Sequence, residues 1–389
     1  MRIAVLSSSF PSHEGDPSGH FVRSEVRALS AEHHAVFLFV PKGSEIPNVD
    51  HVSGVQLSHL GLFGWPGALE RIRRHPWRLL GLFPFAFLAR RELRRHGPYD
   101  ALIAHWIVPG FWPIARDYAG SVTAVAHGSD VRLLERLPAQ LTRRVVTALL
   151  RSNVTVRCVS SELAARLSRI CERHHGPLER VYVEPCAFEV PELPRREELR
   201  RVLGGADAPL VVVVGRAVKT KRIEVAIAAT RCALGVDPVV IGDGPERAPL
   251  AAQFPHTTFL GQLSRDATLR WIRAADILVS ASELEGAPTV VREARALGTP
   301  VVAVAAGDLR DWAGRDPEIV VVPTEAELGS TKRQIEALAR RIRNKVEHAR
   351  RDAPARPVLT GCDPTAFAPP ASSSGGVDGS ADALVIGEE

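Results

Sequence analysis

The fold is decided by the stretch Ser280-Ala-Ser-Glu-Leu-Glu-Gly-Ala-Pro-Thr-Val-Val-Arg-Glu-Ala-Arg-Ala-Leu-Gly-Thr-Pro-Val-Val-Ala303. An apolar run ends where this stretch begins, and a second apolar run over 300–304 closes it. Between them, residues 289–297 follow a helical pattern that stops at Gly298. The order strand, loop, helix, strand predicts a βαβ unit whose loop lies on the ligand-binding edge of a parallel sheet.

Two carboxylates flank the start of the predicted helix. Glu285 lies in the loop, and Glu293 lies one turn into the helix. Thr289 and the amides after it form the helix N-terminus, where unpaired N–H groups and the dipole favour an anion. This combination suits a nucleotide diphosphate sugar, because the diphosphate needs N–H donors while the ribose and hexose hydroxyls need ionised acceptors. Two arbitrary glutamates would more often be solvated surface acids, so the site needs support from the rest of the chain.

The whole stretch resembles the Glu-x7-Glu signature of retaining glycosyltransferase family 4, together with the Glu-Ala-x-Ala-x-Gly-x-Pro-Val-Val-Ala segment that follows it. The resemblance covers roughly residues 1–350 and is strongest in the second half. It implies the GT-B fold, an α/β architecture of two Rossmann-like domains facing each other across a cleft. It also implies transfer of a hexose from a nucleotide diphosphate sugar to an acceptor hydroxyl, with retention at the anomeric carbon.

The loop after the apolar run 210–214 carries the cations that this chemistry needs. Gly215, Arg216 and Lys221 match the family's Gly-Arg-x-x-x-x-Lys-Gly, whose two cations clamp the diphosphate, although Arg222 stands where glycine is usual. Fixed cations stabilise the negative charge that grows on the departing diphosphate. Because no Asp-x-Asp motif occurs, the resemblance implies that no metal or other cofactor is required.

A histidine stands at the end of another predicted strand, 123–126. The chain continues as His127-Gly-Ser-Asp130, and parallel sheets bind ligands at this edge. The family carries a His-Gly-x-Asp motif here, and its histidine meets the transferred hexose. Imidazole can donate to a sugar hydroxyl or support the departing phosphate region. The alternative is a strand-end histidine satisfied by its own loop. The predicted catalytic residues are therefore His127, Glu285, Arg216 and Lys221.

The resemblance implies a larger set of residues for nucleotide-sugar binding, in loops at strand ends and at the helix start. They are Gly19, Asp130, Gly215, Gly261, Leu263, Gly286, Thr289, Val290 and Glu293. In the first loop, Gly15 and Gly19 are the matching positions, and the absence of Gly-x-Gly-x-x-Gly argues against a dinucleotide cofactor. The turn Ala306-Gly307-Asp308 replaces an expected Gly-Gly turn, which weakens a phosphate contact there.

With 389 residues the chain is long enough for two domains. We expect an acceptor-side Rossmann-like domain over 1–188, a Pro-rich linker over 189–208 and a nucleotide-sugar-binding Rossmann-like domain over 209–350. A last amphipathic helix, starting at Thr331, can return to the first domain. The Pro-, Ala-, Ser- and Gly-rich composition after it predicts a disordered tail over 351–389.

The composition, 45% hydrophobic and 24% charged, is that of a soluble globular protein. No secretory signal is evident, and no apolar run approaches the ~20 residues that span a bilayer. The five cysteines are scattered without a Cys-x-x-Cys pair, which favours reduced thiols and argues against structural zinc. These features predict a cytoplasmic protein.

The segment 69–96 holds eight arginines against two glutamates, interleaved with Trp, Phe and Leu. This pattern is typical of helices that lie on an anionic bilayer, and a helix that buries its apolar side in the domain core is the alternative. Pro84 predicts a break into two helices. The membrane interpretation favours a position on the inner face of the plasma membrane and a glycan or lipid-linked acceptor, as in cell-surface glycan or glycolipid synthesis.

Two other functions stay open at this point. A sugar-nucleotide epimerase could use the same two-domain plan and the same diphosphate site, because fold alone does not fix chemistry. A nucleic-acid-binding protein could use the basic segment, but no nucleic-acid motif accompanies the arginines, so nucleic acid is not an expected partner. The donor base, the sugar and the acceptor are not specified by the sequence.

Overall fold

The computed structural model describes residues 1–13, 15–16, 18–64, 67–203 and 208–351. From residue 352 onward, the predicted disordered tail lies outside these residues. The described chain forms two α/β domains, each built on its own parallel sheet. Within the described residues, no helix is both long enough and apolar enough to cross a bilayer.

The described N-terminal domain has one sheet of seven parallel strands: β1 (Arg2–Leu6), β2 (Ala35–Pro41), β3 (Val52–Leu57), β4 (Ala101–His105), β5 (Ser121–Ala126), β6 (Val154–Cys158) and β7 (Val181–Val183). Their order across the sheet is 3-2-1-4-5-6-7. The order reverses between β1 and β4, and such a switch point opens a crevice at the C-terminal strand ends, where α/β sheets bind ligands.

Helices cover both faces of this sheet, which buries its apolar strands on both sides. The helices are α1 (His20–Ala31), α2 (Ala68–Arg74), α3 (Leu82–His96), α4 (Ser129–Leu134), α5 (Ala139–Leu149) and α6 (Ser161–His174). A 3₁₀ turn, Pro76–Gly81, joins α2 to α3, and an irregular helical segment, Ile107–Ala115, follows β4.

The described C-terminal domain repeats the plan with six parallel strands: β8 (Val211–Val214), β9 (Val239–Ile241), β10 (Thr258–Gly261), β11 (Ile277–Ser280), β12 (Val301–Val304) and β13 (Ile319–Val322). The order is 10-9-8-11-12-13, so its switch point lies between β8 and β11. The helices are α7 (Arg196–Leu203), α8 (Ile223–Leu234), α9 (Arg247–Gln253), α10 (Arg265–Ala274), α11 (Thr289–Ala296), α12 (Leu309–Ala313), α13 (Glu325–Leu328) and α14 (Thr331–Arg351).

The βαβ unit predicted from 280–303 is present as β11, α11 and β12. Leu278 pairs with Val301 in parallel register, and Gly298 takes the left-handed conformation (φ +76°) that ends a helix. The predicted fold class, two Rossmann-like domains with parallel sheets, is confirmed.

Two predicted boundaries differ from the structure. Part of the predicted linker 189–208 forms helix α7, whose Leu199 and Leu203 are buried in the core of the C-terminal domain. The preceding prolines obscured this helix, which is only two turns long. Helix α14 stays with the C-terminal domain, where Leu338 and Ile342 are fully buried against α8 and the sheet, so it does not return to the first domain.

The basic segment also differs in where its helices break. The break falls at His75–Pro76, whereas Pro84 lies in the first turn of α3, where a missing N–H costs no intrahelical hydrogen bond. Phe85 of α3 is fully buried, but Phe83 and Phe87 are 73% and 67% exposed. Only one of the three phenylalanines therefore contributes to the core.

Candidate functional site

The first part of the candidate site lies at the switch point of the C-terminal sheet, where the loops after β8 and β11 meet. Lys221 Nζ forms an ion pair with the Glu285 carboxylate of the other loop. The Glu283 amide donates to the Thr220 carbonyl over 3.1 Å, which joins the two loops through their backbones. The structure thus brings together Lys221 and Glu285, two of the predicted catalytic residues.

Closely packed backbone forms the floor beside this ion pair. Gly242 has φ +134°, and a β-carbon there would lie 1.9 Å from the Gly215 carbonyl oxygen, so only glycine fits. The Gly242 amide donates to the Gly261 carbonyl over 2.7 Å, and the Gly215 amide donates to the Ile241 carbonyl over 2.9 Å. The Leu263 side chain is buried in the core, so only its backbone can face a ligand.

Arg222 occupies the position where the family has glycine, and the backbone there is left-handed (φ +46°, ψ +48°). A left-handed residue other than glycine costs about 1–2 kcal/mol. The buried side chain compensates with ion pairs to Glu283 and Glu325 and a 2.7 Å hydrogen bond to Gln334 Oε1. The loop therefore keeps the backbone that a glycine would give, with an arginine that ties it to α13 and α14.

Helix α11 begins directly after this loop. Pro288 is its N-cap residue and no side chain caps it, so the amides of Thr289 and Val290 start the helix without a side-chain acceptor in the described structure. Gly286, in the same loop, packs against Ser160 of the N-terminal domain. The helix start therefore lies beside the interdomain cleft, with the orientation that favours a phosphate group.

Glu293 is largely buried on α11 and contacts both domains. Its Oε1 accepts a 2.9 Å hydrogen bond from Arg265 Nη2 at the start of α10. The same oxygen lies 3.7 Å from Nε2 of His20, the first residue of α1. Glu293 is therefore held at the cleft between a C-terminal arginine and an N-terminal histidine.

On the N-terminal side, His127 directly follows β5 and is held through both ring nitrogens. Nε2 lies 3.1 Å from Nδ1 of His105, and Nδ1 lies 3.7 Å from the Cys186 sulfur. Trp106 and Phe21 pack on the ring, with centroid distances of 4.4 and 5.0 Å. Burial, with His105 and Arg157 as further causes, lowers the pKa of His127 well below its usual value, so the ring is neutral.

Asp130 lies behind His127 and is fully buried. Its carboxylate accepts hydrogen bonds from the amides of Ile107 (2.8 Å), His127 (3.1 Å), Gly128 (2.8 Å) and Val131 (3.0 Å). Burial raises its pKa, and these backbone hydrogen bonds oppose that effect. The geometry supports a role in holding the His127 loop against the segment after β4 rather than direct contact with a sugar.

His127 and Glu293 belong to one continuous region. Phe21 packs on His127, and its neighbour His20 reaches Glu293. Arg292 Nη1, one residue before Glu293, donates to the Cys186 carbonyl over 2.6 Å, and Cys186 touches His127. The two halves of the predicted site therefore face each other across a short span.

The first loop of the chain also reaches the cleft. A β-carbon on Gly15 would lie 3.0 Å from Ser264 Cβ, so this loop touches the start of α10. Gly19 has φ +67°, and a β-carbon there would lie 2.4 Å from the Ser9 carbonyl oxygen. Gly19 therefore lets α1 begin tightly against the loop, while Gly15 is the closer of the two to the other domain.

Arg216 extends across the cleft from the C-terminal domain. It is exposed, and its Nη1 would lie 4.0 Å from a β-carbon built on Gly67, which precedes α2. The other predicted cation, Lys221, is already paired with Glu285. Only one of the two predicted diphosphate clamps is thus at the Glu285 loop, and Arg216 points toward the opposite domain.

The turn Ala306-Gly307-Asp308, which stands where Gly-Gly was expected, makes an interdomain contact. The Asp308 carboxylate accepts hydrogen bonds from the amides of Ser161 (2.7 Å) and Glu162 (3.1 Å) at the start of α6. The Asp308 amide donates to the Gly286 carbonyl over 3.3 Å. Asp308 therefore links the donor-side loop to the N-terminal domain, a role that the sequence did not suggest.

Several residues of this region escaped sequence reasoning: His20, Glu25, His105, Arg157, Arg265 and Asp308. His105 carried a usable signal, since it ends a strand adjacent to the one before His127, and Asp308 was recognisable as a departure from Gly-Gly. The others are brought in from distant segments by the fold. Across the described residues, no three or more His, Cys, Asp or Glu side chains are grouped so as to hold a metal ion.

Comparison with known families bears on the C-terminal half. Residues 195–351 match the family described as "Glycosyl transferases group 1". This segment begins just before α7, includes the Lys221–Glu285 pair and α11, and ends with α14. The match therefore concerns the C-terminal domain, from α7 to α14.

Two curated relatives resemble the chain over part of its length. The putative teichuronic acid biosynthesis glycosyltransferase TuaC of Bacillus subtilis is 34% identical over 134 residues, 34% of each protein. The GDP-mannose-dependent alpha-mannosyltransferase of Mycolicibacterium smegmatis is 36% identical over 118 residues, 30% of this chain and 31% of that protein. The chain thus matches about a third of the length of these relatives.

A solved structure resembles the chain over both domains. Anabaena HepE, determined in complex with UDP-glucose, has a TM-score of 0.62 and 17% sequence identity, with 90% of this chain and 92% of that chain covered. At this identity the likeness concerns the fold. The likeness in fold includes the N-terminal domain, which the family match does not reach.

Proposed function

We propose that this protein is a retaining glycosyltransferase, of the kind grouped in family 4, that transfers a hexose from a nucleotide diphosphate sugar to an acceptor hydroxyl. The observation that carries the proposal is the arrangement at the C-terminal switch point. Lys221, Glu285, the start of α11 and Glu293 follow one another along the cleft, and His127 lies opposite. In a nucleotide diphosphate sugar the diphosphate lies between a ribose and a hexose, so its binding site needs these groups in this order.

In the proposed reaction, the bond between the anomeric carbon and the diphosphate oxygen breaks. The acceptor oxygen forms its bond to the same face of that carbon, and the acceptor proton passes to the departing diphosphate. Lys221, Arg216 and the amides of Thr289 and Val290 stabilise the charge that grows on the leaving group. We propose that these groups suffice without a metal ion.

The two glutamates bind different parts of the donor. Glu293, on the helix, accepts hydrogen bonds from the ribose hydroxyls, and Glu285, in the loop, accepts them from the hexose. The ion pair with Lys221 supports this division, because it holds the Glu285 carboxylate oriented next to the diphosphate position. His127 contacts the hexose from the opposite side.

The relatives suggest the class of donor and product. One is named for GDP-mannose, another for teichuronic acid biosynthesis, and the Anabaena structure holds UDP-glucose. We therefore propose a UDP- or GDP-hexose donor and an acceptor in cell-surface glycan or glycolipid synthesis.

Ligand-dependent unfolding tests the donor site. UDP, GDP and ADP, and their hexose conjugates, are added to the whole protein and Tm is measured. A nucleotide at a hundredfold its Kd should stabilise the protein by about 2.7 kcal/mol. If none of them raises Tm, the proposed function is wrong.

Product analysis then separates transfer from epimerisation. The donor that binds best is incubated with and without lipid extract and simple glycoside acceptors, and the products are examined by NMR. A new α-glycoside formed from an α-donor supports retaining transfer. Conversion of the donor to its epimer without any acceptor would support the epimerase instead.

We also propose that the enzyme works on an anionic membrane, at the inner face of the plasma membrane. The supporting surface is the outer side of residues 73–95, here called the basic–aromatic face. Its exposed apolar side chains are Trp77, Leu79, Leu80, Phe83 and Phe87, and its exposed arginines include Arg73, Arg74, Arg91, Arg94 and Arg95.

The spacing on α3 makes this face continuous. Phe83, Phe87 and Arg91 follow at intervals of four residues, so they lie along one side of the helix, with aromatic residues before basic ones. Each basic residue near an anionic bilayer contributes about 1 kcal/mol, and the aromatic residues add apolar burial. Phe85, on the other side of α3, supplies the packing that holds the helix to the domain.

Vesicle co-sedimentation tests the membrane proposal. Wild type should bind vesicles with anionic lipid and not neutral ones, and Phe83→Ser/Phe87→Ser and Arg91→Ser/Arg95→Ser should each reduce binding. A control, Val183→Ser/Val202→Ser, removes two exposed apolar side chains elsewhere and should bind like wild type. Equal recovery of wild type with both lipids, or unchanged binding by both test variants, would contradict the proposal.

A further inference from the structure

A row of buried polar side chains lies behind His127. His105 is fully buried at the end of β4, with Nδ1 3.1 Å from His127 Nε2. Its other nitrogen, Nε2, is 3.6 Å from Oε2 of Glu25, which is 7% exposed on α1. The two imidazole rings are nearly parallel, with an interplanar angle of 21°. Carboxylate, imidazole and imidazole thus form a chain that ends at the cleft.

The carboxylate at the inner end is fixed in place. Arg157 Nη2, from β6, donates to Glu25 Oε2 over 2.6 Å, and Arg157 Nη1 donates to Glu184 Oε2 over 3.3 Å. The chain therefore joins α1, β4, β5 and β6 on both sides of the N-terminal switch point. Packing of a helix and three strands holds it, which gives His127 a rigid support.

The position of Glu25 selects where the protons lie. The Glu25 carboxylate lies beyond hydrogen-bond distance of His105 Nε2, but its negative charge 3.6 Å away favours a hydrogen on that nitrogen. Nδ1 of His105 is then left as an acceptor. His127 must then donate through Nε2–H, and its Nδ1 keeps the lone pair. The neighbour of that lone pair is the Cys186 thiol at 3.7 Å, a weak donor that a hydroxyl can replace.

The surrounding groups keep both rings neutral. Burial and the Arg157 charge lower the pKa of His105 well below its usual value, and the same causes, with His105 itself, act on His127. Three acids lie beside this cluster. Glu25 and Glu184 contact Arg157, and the Asp130 carboxylate accepts a hydrogen bond from the His127 amide. Burial raises the pKa of Cys186 to about 12, so its sulfur keeps its hydrogen and can donate it to His127 Nδ1, 3.7 Å away.

We propose that Glu25 and His105 are positioning residues that hold His127 as the neutral Nε2–H tautomer, with Nδ1 presented as the acceptor for a substrate hydroxyl. This inference rests on the proposed function for the identity of the hydroxyl, which belongs to the hexose or the acceptor. It reverses the expectation that the imidazole donates to the sugar. His127 Nδ1 accepts a hydrogen bond, and a substrate that lacks the hydroxyl facing Nδ1 is bound less well.

The tautomer can be observed without any activity. The protein is labelled with ¹⁵N-histidine, and long-range ¹H–¹⁵N spectra are recorded at pH 7.5, with the His127 signals identified by their loss in His127→Asn. Wild type should show a protonated Nε2 and an unprotonated Nδ1 for His127. A protonated Nδ1, or a cationic ring, would overturn the proposal whatever the enzyme's activity.

Two substitutions at His105 separate positioning from packing. His105→Phe keeps a ring of similar size but removes the acceptor, while His105→Asn loses volume but places an amide oxygen near the position of Nδ1. If His105 positions His127, turnover falls about tenfold in His105→Phe and is partly restored in His105→Asn. If His105 only fills space, Phe is the better tolerated of the two, and the proposal is wrong.

Glu25→Gln and a matched control complete the test. Loss of the Glu25 charge should let His127 populate both tautomers in the spectra and should lower kcat more than it raises the KM of the donor. His96→Asn removes a half-buried histidine of the same domain that packs on Phe37 and should change neither. A Glu25→Gln protein with the wild-type tautomer and kcat would contradict the role of Glu25.

These readouts distinguish the two proposals. If no sugar nucleotide binds or reacts but the spectra show the Nε2–H tautomer that depends on Glu25, the proposed function fails and the positioning of His127 stands. If transfer is observed but the tautomer or the Phe-versus-Asn order is wrong, the positioning proposal fails and the proposed function stands.

Discussion

The two sides of the cleft carry their polar groups in opposite ways. On the C-terminal side, Arg216 is exposed, and Lys221 and Glu285 form an ion pair in two loops at the switch point. On the N-terminal side, His105 and Asp130 are completely buried, and the histidine pair is neutral. One side offers fixed charge to a ligand. The other offers hydrogen bonds from neutral imidazole, since backbone amides enclose the Asp130 carboxylate.

This difference follows from what each side would have to do. A departing diphosphate gains negative charge, and cations and amides at the end of a helix lower the energy of that change. A hexose is neutral in every state, so hydrogen bonds of defined direction position it best, and burial keeps the direction defined. A charged histidine on that side would instead compete for the diphosphate.

The strongest test of the comparison is Lys221→Ala. If the C-terminal side acts through charge, loss of this cation should reduce kcat by about 10²–10³-fold, the usual result of removing one group that stabilises transition-state charge. Lys219→Ala, in the same loop but exposed, is the matched control and should stay within threefold of wild type. A near-normal kcat in Lys221→Ala would show that the C-terminal side does not act through the charge of Lys221.

The second test separates the two glutamates. Glu293→Gln should weaken binding of the nucleoside diphosphate by about 1.5–3 kcal/mol, or 10- to 150-fold, because a charged acceptor for ribose is lost. Glu285→Gln and His127→Ala should bind the bare nucleotide almost normally but lose turnover. Isothermal titration gives the affinities, and unchanged binding by folded Glu293→Gln would take it out of the site.

The third test uses pH and addresses the neutral side. Both histidines have lowered pKa values in the folded protein, so below about pH 6.5 the unfolded chain binds protons that the folded chain does not. The stability that they contribute is therefore complete above pH 6.5 and is lost as pH falls toward their folded pKa values. Each should contribute a slope of about 1.4 kcal/mol per pH unit in that window.

Urea unfolding at pH 7.5, 6.0 and 5.0 measures this slope. His105→Phe should flatten the loss of stability relative to wild type, whereas His256→Asn, which changes an exposed histidine of the C-terminal domain, should leave it unchanged. The same slope in wild type and His105→Phe would mean that His105 is not held neutral by the fold.

Much of the C-terminal side could be predicted because its signals are local. The stretch from Ser280 to Ala303 encodes a strand, a loop, a helix and a strand in direct succession, and Gly298 ends the helix as expected. Lys221 and Glu285 could be identified because the loops that carry them resemble the Gly-Arg-x-x-x-x-Lys-Gly and Glu-x7-Glu motifs of glycosyltransferase family 4. Boundaries that depend on packing were harder, since α7 is only two turns long and is held by the core rather than by its own pattern.

The N-terminal side could be predicted only in part, because its groups come from distant segments. His127 is marked by its strand end, but its partners Glu25, His105, Arg157 and Cys186 meet only after the sheet and α1 have assembled. The same is true of Asp308, which could be recognised as an exception to Gly-Gly but not as a cap for α6.

The sequence by itself determined two α/β domains, the βαβ unit around Glu285 and Glu293, and the candidate cations of the β8 loop. Periodicity, helix stops and strand-end positions act over a few residues, so they can be seen in the sequence. The tertiary structure decided which side chains are neutral or paired, which aromatic residues of α3 reach the surface, and how the two domains meet. Those properties depend on burial and on contacts between segments far apart in the chain, because desolvation and hydrogen bonding act through space.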